Sequence, residues 1–356
     1  MRRARTLAGE RVVRLGGGLQ VRARHVGAAA FLAVLALGLA LVGLGVGATR
    51  TGPLDLLAAV LGDAPEADTF ALLTVRGPRI VLGFLAGACV AVAGAMLQAV
   101  ARNPLADPGL LGLSQGSMVM IMALVVLVPD APPALVPVAA VAGGLLVAGG
   151  LVLLAGRAHT AGLAILLMGI AAETMLSAVG SILILYSPPE ASYALGDWLA
   201  GTLFTASWST IAALVPFALA GAVAVALIGR ALEAYEMGEE MAMALGESVT
   251  RSRPALVFIS VLLNAAAVSA VGPLSFLGVM APQLAGLLAP ASGRPRLVLS
   301  AFTGGALVIA ADTLARAAGG DALGGGIALP IGLSLTLVGV PLFVVAMRLR
   351  ALRTLA

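Results

Sequence analysis

The side chains of this sequence that could do chemistry are few, and they sit in short polar stretches. Arg76 and Arg79, in Arg-Gly-Pro-Arg, and the separate Arg316 offer guanidinium forks. Such forks take carboxylates through two parallel hydrogen bonds, which fixes geometry as well as charge. Gln98 stands near the end of an apolar run, just before RNPLADPGLLG (residues 102–112), a connector opened by Arg102, Asn103 and Pro104. Glu173 is a carboxylate in the middle of another apolar run, in MGIAAETMLSAVG. Gly238, Glu239, Glu240, Met241 and Ala242, closed by Leu245 and Gly246, mix acids with methionines. These residue types suit recognition and polar gating, and the rest of the chain lacks the parts for bond making. It has two histidines, His25 and His159, one cysteine, Cys89, and no clustered metal ligands or nucleophile–base pattern. All 21 basic residues are arginine. A phosphate loop of the G-x-x-x-x-G-K-[ST] type is therefore excluded, and with it ATP hydrolysis by this chain alone. No catalytic residue, metal or cofactor is expected.

The elements that must position these residues are membrane helices. The chain has 356 residues, 60% hydrophobic and 11% charged, with a mean hydropathy of +1.08. A water-soluble surface needs far more charge. Ten apolar runs approach the roughly 20 residues that one bilayer crossing takes. They cover residues 26–48, 77–100, 109–128, 134–156, 161–186, 209–229, 254–271, 274–290, 297–316 and 327–347. The first is too long for the apolar core of a signal peptide and reads as a retained helix. With the N-terminus inside, all arginines but Arg50, Arg76, Arg79 and Arg316 fall on the cytoplasmic side. The outer loops carry acids instead, among them Asp55, Asp63, Glu66, Asp68, Asp130, Glu190 and Asp197. This positive-inside pattern and the even span count predict an all-α integral membrane protein with both termini in the cytoplasm. The expected organisation is a basic tail (1–25), one transmembrane domain (26–349) and a short tail (350–356). The high pI of about 10.2 then reflects orientation in the bilayer, and nucleic-acid binding is not expected.

Glycines recur where helices should touch, at Gly83, Gly87 and Gly94 and at Gly143, Gly144, Gly149 and Gly150. Small-xxx-small spacings permit close packing in lipid. The stretch LEAYEMGEEMAMALGESV (232–249) is too polar to span and predicts a short amphipathic surface helix at about 236–247. An acid at mid-span is costly, so Glu173 should face a cavity, a partner or an interhelical hydrogen bond. Asn264 and Asp312 read as interhelical glue and a helix-end contact. Outer-face arginines run against the positive-inside trend; they either meet carboxylates or snorkel to headgroups.

Taken in order, RGPRIVLGFLAGACVAVAGAMLQAVARNPLADPGLLG (76–112), GEEMAMALG (238–246), VSAVGPLSFLGVMAP (268–282), ADTLARAAGG (311–320) and LPIGLSLTLVGVP (329–341) resemble the FecCD, or BtuC-like, permeases of binding-protein-dependent ABC importers. The resemblance runs from about Thr51 to Pro341. It implies a ten-helix type II importer permease in the bacterial inner membrane. Such a permease pairs with a second permease subunit, with two cytoplasmic ATPase subunits below and an extracytoplasmic substrate-binding protein above. Arg76, Arg79 and Arg316 match the arginines that meet glutamates of the binding protein, and residues 239–246 match the coupling helix on the ATPase. The 102–112 connector matches a cytoplasmic turn close to the translocation path, which makes Gln98, Arg102, Asn103, Pro104 and Glu173 pathway or gate candidates. The cargo implied is first a ferric siderophore, then haem or cobalamin. Departures from the family pattern stand at Gly77, Gln283, Gly286 and Ala328, and they favour a heterodimer over a homodimer. A secondary transporter driven by an ion gradient is the rival reading; it predicts several more intramembrane carboxylates and no coupling helix.

Overall fold

In the computed structural model, residues 2–5, 11–14, 20–47, 51–132, 134–155, 162–187, 196, 198–319 and 329–355 are described. Arg50, His159, Glu190, Asp197 and Ala328, weighed above, lie outside them. The apolar runs form helices: α1 (Ala23–Gly45), α2 (Pro53–Leu61), α3 (Glu66–Thr69), α4 (Gly77–Ala101), α5 (Leu113–Leu127), α6 (Leu135–Ala155) and α7 (Gly162–Leu185). Then follow α8 (Trp208–Glu236), α9 (Glu239–Ala244), α10 (Val249–Val271), α11 (Leu277–Leu288), α12 (Gly293–Gly319) and α13 (Ile331–Leu355). Among the described residues, seven helices are long and apolar enough to cross a membrane. The expected spans 109–128, 274–290 and 327–347 coincide with shorter apolar helices, Leu113–Leu127, Leu277–Leu288 and Ile331–Val345.

Two features depart from the sequence reading. The basic N-terminal segment, expected as a tail, contains three short antiparallel strands, β1 (Arg2–Arg5), β2 (Arg11–Arg14) and β3 (Gln20–Arg22). Valines 12, 13 and 21 supply β-branched positions there. The all-α expectation therefore holds for the membrane part alone. Second, the span expected at 77–100 begins much earlier: α3 runs into a π-helical stretch, Phe70–Arg76, and on into α4, giving one helix from Glu66 to Ala101. The Gly77 N–H bonds to Leu72 O, five residues back. Pro78 has no N–H and its ring would crowd the carbonyl four residues earlier in a regular helix. The wider turn accommodates it.

α4 is the central post, packed chiefly on α12 and α10. Its C-terminal half is buried throughout, from Cys89 to Val100. Glycine makes this possible. A Cβ on Gly87 would lie 2.6 Å from Gly304 O, and one on Gly94 would run into the backbone of Gly278. Gly116 and Gly143 interlock α5 and α6 in the same manner. Gly149 and Gly150 instead face open space, so only part of the glycine pattern serves packing.

Candidate docking, gate and coupling sites

The three expected outer arginines converge, and they do so around the end of α1. A helix leaves its last carbonyls without internal partners. Here Arg76 Nη1 donates to Leu44 O, and Arg316 Nη1 donates to Gly43 O at 2.9 Å and to Val46 O. Thr51 also donates to Leu44 O, at 3.0 Å, and accepts from Arg76. Positive charge at a helix C-terminus is favourable in itself. Asp312, 2% exposed, binds the group from the other side. It accepts from Arg79 Nε at 2.7 Å and from Arg316 Nε at 3.0 Å. The Arg79 guanidinium also lies 4.8 Å above the Phe204 ring. Arg76 and Arg79 are buried within the subunit. Two guanidiniums, Arg79 and Arg316, thus share the Asp312 carboxylate, while Arg76 is held by Leu44 O and Thr51 and lies in the field of Asp68. The ADTLAR spacing puts Asp312 and Arg316 one helical turn apart, but its link to Arg79 is a long-range contact that sequence alone did not reveal.

At the opposite end of α4, Gln98 is buried and makes several bonds at once. Its Nε2 donates to Gly278 O at 3.0 Å, while its Oε1 accepts from Gln283 Nε2 at 3.0 Å and from Arg296 Nη2 at 2.8 Å. Gln283 also donates to Pro104 O at 3.1 Å. Arg102 ends α4 in the left-handed region (φ 48°) and is exposed, as is Pro104. The Asn103 N–H closes back on Gln98 O at 3.1 Å, and the Asn103 side chain accepts from Leu105 N at 2.9 Å. Inside the connector, Asp107 is buried and accepts from Gly109 N at 2.7 Å. Burial pushes its carboxyl up to about 6, and the amides of Gly109, Leu110, Val279 and Gly278 pull the other way. Asp107, Gln283, Arg296 and Glu236 were not singled out as site residues from sequence. Gln283 stands out in the sequence only as a departure from the family pattern.

Glu173 is half-buried on α7 and accepts from Gln115 Nε2 and from Ser177 Oγ, each at 3.3 Å. It lines a cavity of about 210 Å³ together with Asp107, Ser114, Asn264 and Phe276. The acid is therefore both hydrogen-bonded and at a cavity, and it is not brought to Gln98.

The surface helix α9 is where the amphipathic pattern placed it. Gly238 (φ 104°) and Gly246 (φ 84°) open and close it in backbone conformations that side chains resist. Ala242 is fully buried toward the bundle, while Glu240, Met241, Met243 and Leu245 are exposed. Tyr235 anchors the entry, donating from its hydroxyl to Val249 O at 3.0 Å. A short helix held at both ends, with methionines and a leucine facing outward, is a stiff apolar surface.

The chain is 37% identical over 292 residues to the cobalamin import system permease protein BtuC of Halobacterium salinarum, covering 82% of this chain and 77% of that protein. It is 32% identical over 320 residues to the Fe(3+)-citrate import system permease protein YfmE of Bacillus subtilis, covering 90% and 94%. A metal-chelate type ABC transporter solved in an inward-facing conformation has the same fold, with a TM-score of 0.76 at 23% identity, over 91% of this chain and 99% of that one. The profile of the FecCD transport family matches residues 33–349, from within α1 to within α13, and the chain belongs to that family.

Proposed function

We propose that this chain is the membrane-spanning permease subunit of an ABC importer that brings a ferric siderophore across the bacterial inner membrane. Membership of the FecCD family over nearly the whole chain carries the reading. The chain supplies the path and borrows the motor, since it has no lysine for a phosphate loop. On this reading it crosses the bilayer ten times with both termini inside, and a second permease subunit of different sequence completes the path. Two ATPase subunits dock below the permease pair, and α9 offers them Met241, Met243 and Leu245 as an apolar face beside Glu240. A substrate-binding protein docks outside, and its carboxylates pair with Arg76, Arg79 and Arg316. Docking must then compete with the α1 carbonyls and Asp312 that hold these guanidiniums. The 102–112 connector and Gln98 lie at the inner end of the path, and Glu173 lines it.

Cobalamin is the second reading of the cargo, because the Halobacterium relative at 37% identity is named for cobalamin import. ATP-dependent uptake of labelled ferric siderophore, haem and cobalamin, in cells with and without the gene, decides among them. Loss of ferric siderophore uptake alone is the expected result. Loss of cobalamin or haem uptake alone replaces the cargo and keeps the mechanism, and no dependence on gene or ATP overturns both.

A further inference from the structure

We infer that Arg296 and Gln98 are positioning residues that carry movement of α9 to the 102–112 connector; the inference rests on the reading of α9 as the ATPase-docking helix. Glu236 is the last residue of α8, and only Met237 and Gly238 separate it from α9. Its Oε1 accepts from Arg296 Nη1 at 2.5 Å, and its Oε2 from the Gly293 N–H at 3.3 Å, so the start of α12 is tied to the stalk of α9. The other arm of the same guanidinium reaches Gln98 Oε1 at 2.8 Å. That one oxygen also accepts from Gln283, whose Nε2 in turn holds Pro104 O in the connector. The amide of Gln98 holds Gly278 O, in the first turn of α11, against which the connector's Asp107 is packed. Four side chains, Glu236, Arg296, Gln98 and Gln283, thus join the stalk of α9, α12, α4, α11 and the connector.

Three physical points make this a transmission path and more than a set of helix contacts. Both ends of the guanidinium fork are used, and the planar group is rigid, so moving Glu236 turns the plane that Gln98 reads. The bonds lie among largely buried side chains, where they are stronger than in water and a lost partner is costly. A cavity of about 260 Å³ beside the network, lined by Pro104, Gln283, Arg296 and Pro290 among others, leaves room for the group to shift. Elsewhere α4 is locked by glycine contacts that permit no such shift.

The test uses the assembled permease–ATPase complex in lipid and segment-resolved hydrogen exchange, with and without trapping by ATP and vanadate. In the unsubstituted complex, trapping should change exchange in both 239–246 and 102–112. In Arg296→Ala the change in 239–246 should persist and that in 102–112 should fall at least threefold. Gln98→Met keeps the bulk, removes the shared acceptor and should behave like Arg296→Ala, which covers the case in which the arginine variant fails to assemble. The double reversal Glu236→Arg with Arg296→Glu restores the pair but not the donor to Gln98, so its connector should stay unresponsive. A connector that responds undiminished in either single variant overturns the inference alone. An unsubstituted complex in which 239–246 does not respond overturns the docking role of α9 together with it.

Discussion

Replacing Asp312 by Asn tests the outer arginine cluster. The carboxylate is 2% exposed and accepts from Arg79 at 2.7 Å and from Arg316 at 3.0 Å. At an effective dielectric of about 20, each pair at such separations attracts with roughly 5–6 kcal/mol before desolvation is subtracted. Forming the cluster has already desolvated the arginines, so removing the anion strands two guanidiniums in a buried site. Breaking a buried pair in this way costs about 3–5 kcal/mol. For a chain of this size that corresponds to a fall in Tm of roughly 4–7 °C. The protein carries its own probe. Cys89 is the one cysteine and is buried in α4, so a thiol-reactive fluorophore reports when α4 becomes accessible on heating. Adding Arg79→Met to Asp312→Asn removes one stranded charge and should recover part of the loss. A fall under about 2 °C for Asp312→Asn, or no recovery in the double variant, would refute the view that Asp312 compensates the cluster.

Four further outcomes follow from the geometry. Gly94→Ala places a methyl group against the Gly278 backbone, which cannot move aside as a side chain can; a loss of about 1–3 kcal/mol is expected, read as a lower Tm with the same fluorophore. Asp107 has a folded-state carboxyl raised to about 6 against an ordinary value of 3.8, so the folded form binds the proton more tightly than the unfolded chain does. Stability should therefore be greatest at acid pH and fall as pH rises from about 4 through about 6, and Asp107→Asn should flatten that slope in Tm against pH. Glu173→Gln keeps the shape and both hydrogen-bonding neighbours, so Tm should move by less than about 2 °C; a change in uptake without a change in Tm would identify a pathway role. Arg76→Glu removes the donor to Leu44 O and reverses the outer charge, and it should weaken capture of the binding protein at least tenfold in a pull-down titration; unchanged capture removes Arg76 from the docking surface.

Much of the fold could be read from the sequence because lipid imposes one rule: backbone groups must be satisfied within the segment, so apolar runs become helices. Hydropathy placed α1, α6, α8 and α12 for that reason. It placed α4 itself but missed the helical turns that lead into it, since the polar residues Glu66 and Asp68 hid a helix that continues through the π turn before Pro78. It passed over α2, although Pro53 and Asp55, which accepts from Gly52 N at 2.7 Å, are an ordinary helix start. The site was legible where chemistry is local. Gly238 and Gly246 bracket α9, and RNPLADPGLLG encodes its own turn through Pro104, Asn103 and Asp107. It was not legible where partners lie far apart in the chain. The Arg79–Asp312 pair spans 233 residues, and Gln98–Arg296 spans 198. Spacing along one helix carries no signal for such contacts, and polar residues at helix ends are common enough that neither partner stands out.

The long reach from Arg316 to the end of α1 bears on how the protein is made. The carbonyls of Gly43 and Val46 wait for a side chain 273 and 270 residues downstream. Arg76 reaches Leu44 O after only 32 residues. During synthesis the first span can therefore be closed in part almost at once, by the chain that follows it directly. Its final turn stays dependent on water or headgroups until the ninth expected span has entered the bilayer. A nascent chain halted before residue 312 holds Arg79 in the membrane without its Asp312 partner. Insertion of the last third of the molecule is thus the step that seals the first.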